Sequence, residues 1–109
     1  MSDIREVTEA LLKFRDERDW AQFHNPKDLA LALNIEAGEL LESFLWKSSA
    51  QADIGQVKEE LADVFAFAFL LAEQYDFDVK QIVLEKIGKN ALKYPVEKSK
   101  GVAKKYTEL

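Results

Sequence analysis

The chain contains no cysteine, which excludes disulfides, a thiol nucleophile and any thiolate-ligated zinc. It also lacks a basic excess. Fifteen Lys and Arg stand against twenty Asp and Glu, a formal net charge of −5. Nucleic-acid binding through backbone phosphates needs a cationic face that this balance does not supply. Long apolar runs are missing too: the longest uncharged stretch, VFAFAFLLA (64–72), is about half of what a bilayer demands. The opening MSDIREVTEALLKF is charged every few residues, unlike the apolar centre of a signal peptide. These absences lead to the expectation of a cytoplasmic protein with no nucleic-acid and no membrane partner.

Helix breakers are scarce as well, with two prolines and four glycines in 109 residues. Nothing alternates with period two for long enough to make a strand, so the expected class is all-α. Helix one should run from about Asp3 to Asp16, with Ile4, Val7, Leu11 and Phe14 as its seam. Helix two starts at NPKD, where Asn25 caps and Pro26 takes the first helical position, and continues to about Lys47. Asp53 and Asp78 cap helices three and four, with Gln56 and Gln81 placed to reach back. Helix three ends near Tyr75 and helix four before Pro95. Residues 1–95 form a single helical domain in this reading, and 96–109 an extended tail.

Four acids interrupt the most apolar stretches. At about 100° per residue, Leu29, Leu33, Leu40 and Phe44 share an arc of about 60° on helix two. Glu36 lies at its edge, and Glu39 follows one turn later. On helix three Glu60 projects beside Val64, Phe67 and Leu71, and Asp63 falls between Phe67 and Leu70. An isolated glutamate usually flanks the core and snorkels out. Two i,i+3 pairs on consecutive helices ask for a cation, because crowded carboxylates otherwise protonate. Helix two offers only Lys27 and Lys47, both at its ends. All-oxygen ligation suits Mg²⁺ or Mn²⁺.

The E-A-G-E of residues 36–39, followed by E-E-L-A-D at 59–63, resembles the E-x-x-E…E-x-x-D signature of the MazG-like, all-α nucleoside triphosphate pyrophosphohydrolases. FRDERDWAQFHNPKDLALAL, LLESFLWK, EKIGKNALKYP and KKYTEL are similar in particular to the dCTP pyrophosphatase branch. The resemblance implies Mg²⁺ held by Glu36, Glu39, Glu60 and Asp63, with cleavage of (deoxy)nucleoside triphosphates to the monophosphate and pyrophosphate. Among these four ligands, Glu39 is the one we take as the carboxylate that accepts a proton from the attacking water. Lys86, Asn90 and Lys93, one stripe of helix four, and Tyr94 match the family's K-x-x-x-N-x-x-[RK]-Y-P segment, and they become candidates for the leaving pyrophosphate. Read without that match, the stripe is a solvated face.

Trp20 and Trp46 become the base-stacking residues on the same resemblance, although tryptophans more often fill cores and interfaces. His24 reads as a neighbour of the Asn25 cap. Leu11 and Phe67 stand where relatives place a histidine and a tyrosine, which removes hydrogen-bonding groups from the base pocket.

Apolar side chains surround helices two and three on every side, as Leu31, Ile35, Leu41 and Leu45 illustrate. A helix of that kind is enclosed, so the expected architecture is a four-helix bundle completed by oligomerisation. The family implies a homodimer or homotetramer. Two other readings compete with a pyrophosphohydrolase. A di-iron bundle wants Glu-x-x-His pairs, which a single histidine cannot provide. A non-enzymatic helical scaffold or regulatory partner predicts four dispensable acids.

Overall fold

Capping chemistry decides where each helix begins. In the computed structural model, which describes residues 2–109, the Ser2 hydroxyl accepts from the Arg5 amide at the head of α1 (Asp3–Glu17). Asn25 accepts from the Asp28 amide at 2.9 Å, and Pro26 opens α2 (Pro26–Glu42). Asp53 accepts from the Gly55 and Gln56 amides before α3 (Ile54–Gln74), and Asp78 from the Gln81 amide before α4 (Val79–Lys93). Each bond satisfies a donor that the first turn leaves unpaired. The Gln81 side chain does not reach back; it donates to Glu85 at 2.9 Å.

Helix ends depend on left-handed backbone that composition did not flag. After α1, Asp19 sits at φ 54, the Asp19 amide donates to Asp16 O and the Trp20 amide to Arg15 O. After α3, Asp76 at φ 55 repeats the pattern, with Phe77 N–H donating to Ala72 O. Both are Schellman turns, with aspartate in the place that glycine usually fills. The end of α2 departs from expectation, because regular helix stops at Glu42 rather than near Lys47. Bonds from Ser43, Phe44 and Leu45 tighten to the carbonyls three residues back, and Trp46 turns left-handed at φ 61. Tight i→i+3 bonds and a left-handed residue cannot propagate an α-helix.

The chain divides between Phe77 and Asp78 into two compact units. In the first, α3 packs along α2 and against α1. Leu29, Leu70 and Ala72 are its buried apolar residues, and buried Thr8 satisfies its hydroxyl by donating to Ile4 O at 2.8 Å. The α1 seam is looser than expected, since Val7 and Phe14 are exposed. The second unit holds α4, the single turn α5 (Val96–Ser99) and a 3-10 turn at Tyr106–Glu108. Residues 96–109, read from the sequence as an extended or loosely ordered tail, carry these two short helical turns. Among the described residues there is no strand, so the all-α class is correct, and no helix is long and apolar enough to cross a membrane.

Candidate active site

Packing of α3 along α2 brings the two acidic pairs together. One carboxylate oxygen from each of Glu36, Glu60 and Asp63 lies within 4.8 Å of the others. Glu39 lies beside them, close enough for its carboxyl to hydrogen-bond with Glu36 and Glu60 and for its charge to act on both.

The cluster carries two signs of an unmet need for positive charge. Glu36 and Glu60 each bury one oxygen, Oε2, without a hydrogen-bond partner. An unpaired buried acceptor costs about 1–3 kcal/mol. The ion pairs among the described residues, Arg5–Glu9, Arg5–Glu73 and Arg15–Asp16, involve none of the four acids. Burial, then a hydrogen bond with Glu39, then the charges of Glu39, Asp63 and Glu60 push the Glu36 carboxyl up to about 7. The Glu60 carboxyl is also raised, by burial first and next by the charge of Glu39. Desolvation and like charge both disfavour the ionised form, and a bound divalent cation reverses both. The donor set is entirely oxygen, so it fits a hard ion such as Mg²⁺ or Mn²⁺.

Both candidate stacking tryptophans sit at chain reversals. Trp20 follows the left-handed Asp19 and meets Phe14 edge to face, with ring centroids 5.8 Å apart. The Arg18 guanidinium lies 3.6 Å from the centroid of the same Phe14 ring. Phe14 therefore supports Trp20 instead of closing the α1 seam. The i,i+4 spacing of Phe14 and Arg18 is the signal of this contact in the sequence. Trp46 is itself left-handed and 93% exposed. A bulky residue at positive φ stores about 1–3 kcal/mol of strain and persists only where its surroundings enforce it.

On α4, Lys86, Asn90 and Lys93 recur at i, i+4 and i+7 as expected. Lys86 and Asn90 edge a shallow groove with Ile82, Val83 and Ile87, and Tyr94 follows the last helical residue. This stripe stands on the second unit, whereas the acids stand on the first. Leu11 and Phe67 are half-buried, and neither side chain can donate or accept a hydrogen bond. His24 is half-buried with Nδ1 unpartnered, and burial followed by the Arg15 charge lowers its pKa. That environment favours the neutral imidazole over the charged one.

Known proteins resemble this chain over most of its length. The sequence profile of the MazG-like family matches residues 31–109. The dCTP pyrophosphatase 1 of Rattus norvegicus is 40% identical over 117 aligned residues, covering 100% of this chain and 67% of that protein. Its Homo sapiens counterpart is 37% identical over the same length, with the same coverage. The crystal structure of a pyrophosphatase from Archaeoglobus fulgidus matches with a TM-score of 0.81 at 36% identity, over 87% of this chain and 94% of that one. The chain belongs to the MazG-like family.

Proposed function

We infer that this chain is a metal-dependent nucleoside triphosphate pyrophosphohydrolase that cleaves between the α- and β-phosphates. The observation that carries this reading is the meeting of Glu36, Glu60 and Asp63 within 4.8 Å, two of them with a buried, unpartnered oxygen. The relatives' activity supports an enzyme of this class, and their name makes dCTP, among other deoxynucleoside triphosphates, the first substrate to test. Removing surplus or non-standard nucleotides from the pool, in the cytoplasm, is the purpose that fits such an activity.

Glu36, Glu39, Glu60 and Asp63 would hold Mg²⁺, with Mn²⁺ as a substitute. When bound, the cation supplies positive charge for the triphosphate and lowers the pKa of the attacking water. Glu39, exposed at the margin of the cluster, accepts the proton of that water as its oxygen attacks the α-phosphorus. The Pα–O–Pβ bridge breaks, its electron pair leaves with pyrophosphate, and the nucleoside monophosphate remains. Lys86, Asn90 and Lys93 are the proposed donors to pyrophosphate, whose negative charge calls for such partners. Trp20 and Trp46 stack on the base, and the Tyr94 ring borders the phosphate-binding end of α4.

Stacking tolerates any base, whereas discrimination requires buried hydrogen-bond partners. With Leu11 and Phe67 in the chain, several deoxynucleoside triphosphates are accepted alongside dCTP. A homodimer or homotetramer completes the protein. Leu31, Ile35, Leu41 and Leu45 on one flank of α2 and the segment after it, with Phe65 on α3, are all exposed. Large apolar side chains left exposed in such number are the ones a second copy of the chain would cover.

Incubation with Mg²⁺ and a panel of triphosphates tests the function. Pyrophosphate release that EDTA abolishes is expected, with competition between dCTP, dATP, dTTP and dGTP giving preferences well below about 10⁴-fold. Orthophosphate as the product, or full turnover in excess chelator, would refute it. A scaffold protein would show neither product.

A further inference from the structure

The segment after α4 returns to the helix it has just left. Pro95 precedes α5, whose single turn is closed by Ser99 N–H donating to Pro95 O and Lys100 N–H to Val96 O, both at 3.0 Å. Gly101 then adopts φ 75, a left-handed conformation that a side chain would strain. The chain reverses there, and the 3-10 turn at Tyr106–Glu108 brings the Tyr106 ring back to the end of α4. Tyr106 meets Tyr94 edge to face at 5.9 Å, with an interplanar angle of 82°. The Lys93 ammonium lies over the Tyr106 ring, 4.9 Å from its centroid.

Lys93 and Tyr94 are two of the residues assigned above to the pyrophosphate, and one ring of the tail touches both. We propose that Tyr106 is a positioning residue for phosphate binding, which holds the Lys93 ammonium ready at the C-terminal end of α4. This role rests on the pyrophosphohydrolase reading and extends it to the tail.

The physical reason is entropic as well as electrostatic. A lysine on a helix end samples many rotamers, and a polyphosphate must immobilise it on binding. A ring face attracts the ammonium through its quadrupole while leaving the remaining N–H bonds directed outward. Tyr94, packed edge-on, keeps the Tyr106 ring from turning away. An aromatic ring is required for this, and its hydroxyl is not.

Tyr106→Leu, Tyr106→Phe and Lys93→Met, with the Leu and Met changes also combined, separate positioning from simple packing. Steady-state constants for dCTP and inhibition by inorganic pyrophosphate are read in Mg²⁺ buffer. Tyr106→Leu raises KM and the pyrophosphate inhibition constant about 3- to 10-fold, with kcat changed by less than about twofold. Tyr106→Phe keeps the wild-type constants. In the Lys93→Met background, Tyr106→Leu adds nothing further. Protein labelled with ¹³C-lysine gives a second readout: the Lys93 ε-methylene signal, assigned by its loss in Lys93→Met, sits upfield under the ring current and moves downfield in Tyr106→Leu. Should Tyr106→Leu fail to fold, Gly101→Val strains the reversal instead and produces the same losses.

Unchanged constants in Tyr106→Leu, an equal penalty with or without Lys93, or a Tyr106→Phe as impaired as Tyr106→Leu would each overturn the role. A wild-type chain that neither turns over triphosphates nor binds pyrophosphate refutes the parent reading. Normal turnover indifferent to Tyr106 refutes this inference alone.

Discussion

Replacing Glu36 by Gln removes one negative charge from the acidic cluster and keeps the side chain's length. The native Glu36 carboxyl titrates at about 7, against an ordinary value of 4.5. Between those two pH values the folded protein retains a proton that the unfolded chain has released. Stability of the metal-free protein therefore falls as pH rises through this window, and the loss is complete above it. With solvent screening at this half-buried site included, the amplitude is about 1–2 kcal/mol. His24 acts with the opposite sign: its lowered pKa makes its contribution grow as pH rises towards the ordinary histidine value. That contribution is common to both proteins, so the difference between wild type and Glu36→Gln isolates the carboxyl.

Urea unfolding at fixed protein concentration, in EDTA at pH 4 and pH 8, is the assay. At pH 8 the variant is more stable than wild type by about 1–2 kcal/mol, and at pH 4 the two coincide. Mg²⁺ at about 100 times its Kd then stabilises wild type by about 2.7 kcal/mol, and the variant by clearly less. A variant no more stable than wild type at pH 8 without metal would refute the argument that the site holds uncompensated charge. So would equal stabilisation of both proteins by Mg²⁺.

Asp63→Ala abolishes turnover while circular dichroism and the melting temperature in EDTA stay at or above wild-type values, and loss of fold would instead make the acid structural. Ser43 has no exposed surface and its Oγ is unpartnered, so Ser43→Ala stabilises by about 1 kcal/mol in urea titration; a destabilisation of that size would reveal a hidden partner. Trp46→Gly relieves the left-handed strain and leaves the melting temperature unchanged or raised, yet lifts KM for every triphosphate about tenfold or more. A variant with a lowered melting temperature and unaltered KM would make Trp46 a packing residue.

Local chemistry explains what the sequence could disclose. Asn25–Pro26, Asp53 and Asp78 mark helix starts because a cap acts over three residues and needs no tertiary partner. The i,i+3 spacing of the acids put Glu36, Glu39, Glu60 and Asp63 on the faces of the leucines and phenylalanines; the structure brings oxygens of Glu36, Glu60 and Asp63 within 4.8 Å of one another and leaves Glu39 exposed beside them. The end of α2 was illegible because no glycine or proline marks it; a left-handed tryptophan does. Asp19 and Asp76 hid two Schellman turns for the same reason, since aspartate is only an occasional occupant of that position. The return of Tyr106 to Tyr94 joins residues twelve positions apart, and a stripe of helical period could not reveal it. Phe14 fitted a seam by spacing, but the left-handed Asp19 brings Trp20 onto it and leaves it exposed.

Hydrolysis of dCTP in ¹⁸O-labelled water with Mg²⁺, followed by ³¹P NMR, tests the central claim most directly. Attack at the α-phosphorus, with the bridge to the β-phosphate broken, puts the label in the monophosphate and leaves pyrophosphate unlabelled. Glu36→Gln and Asp63→Ala give neither product above background under the same conditions. Label found in pyrophosphate, release of orthophosphate, or undiminished turnover by those variants would contradict the account.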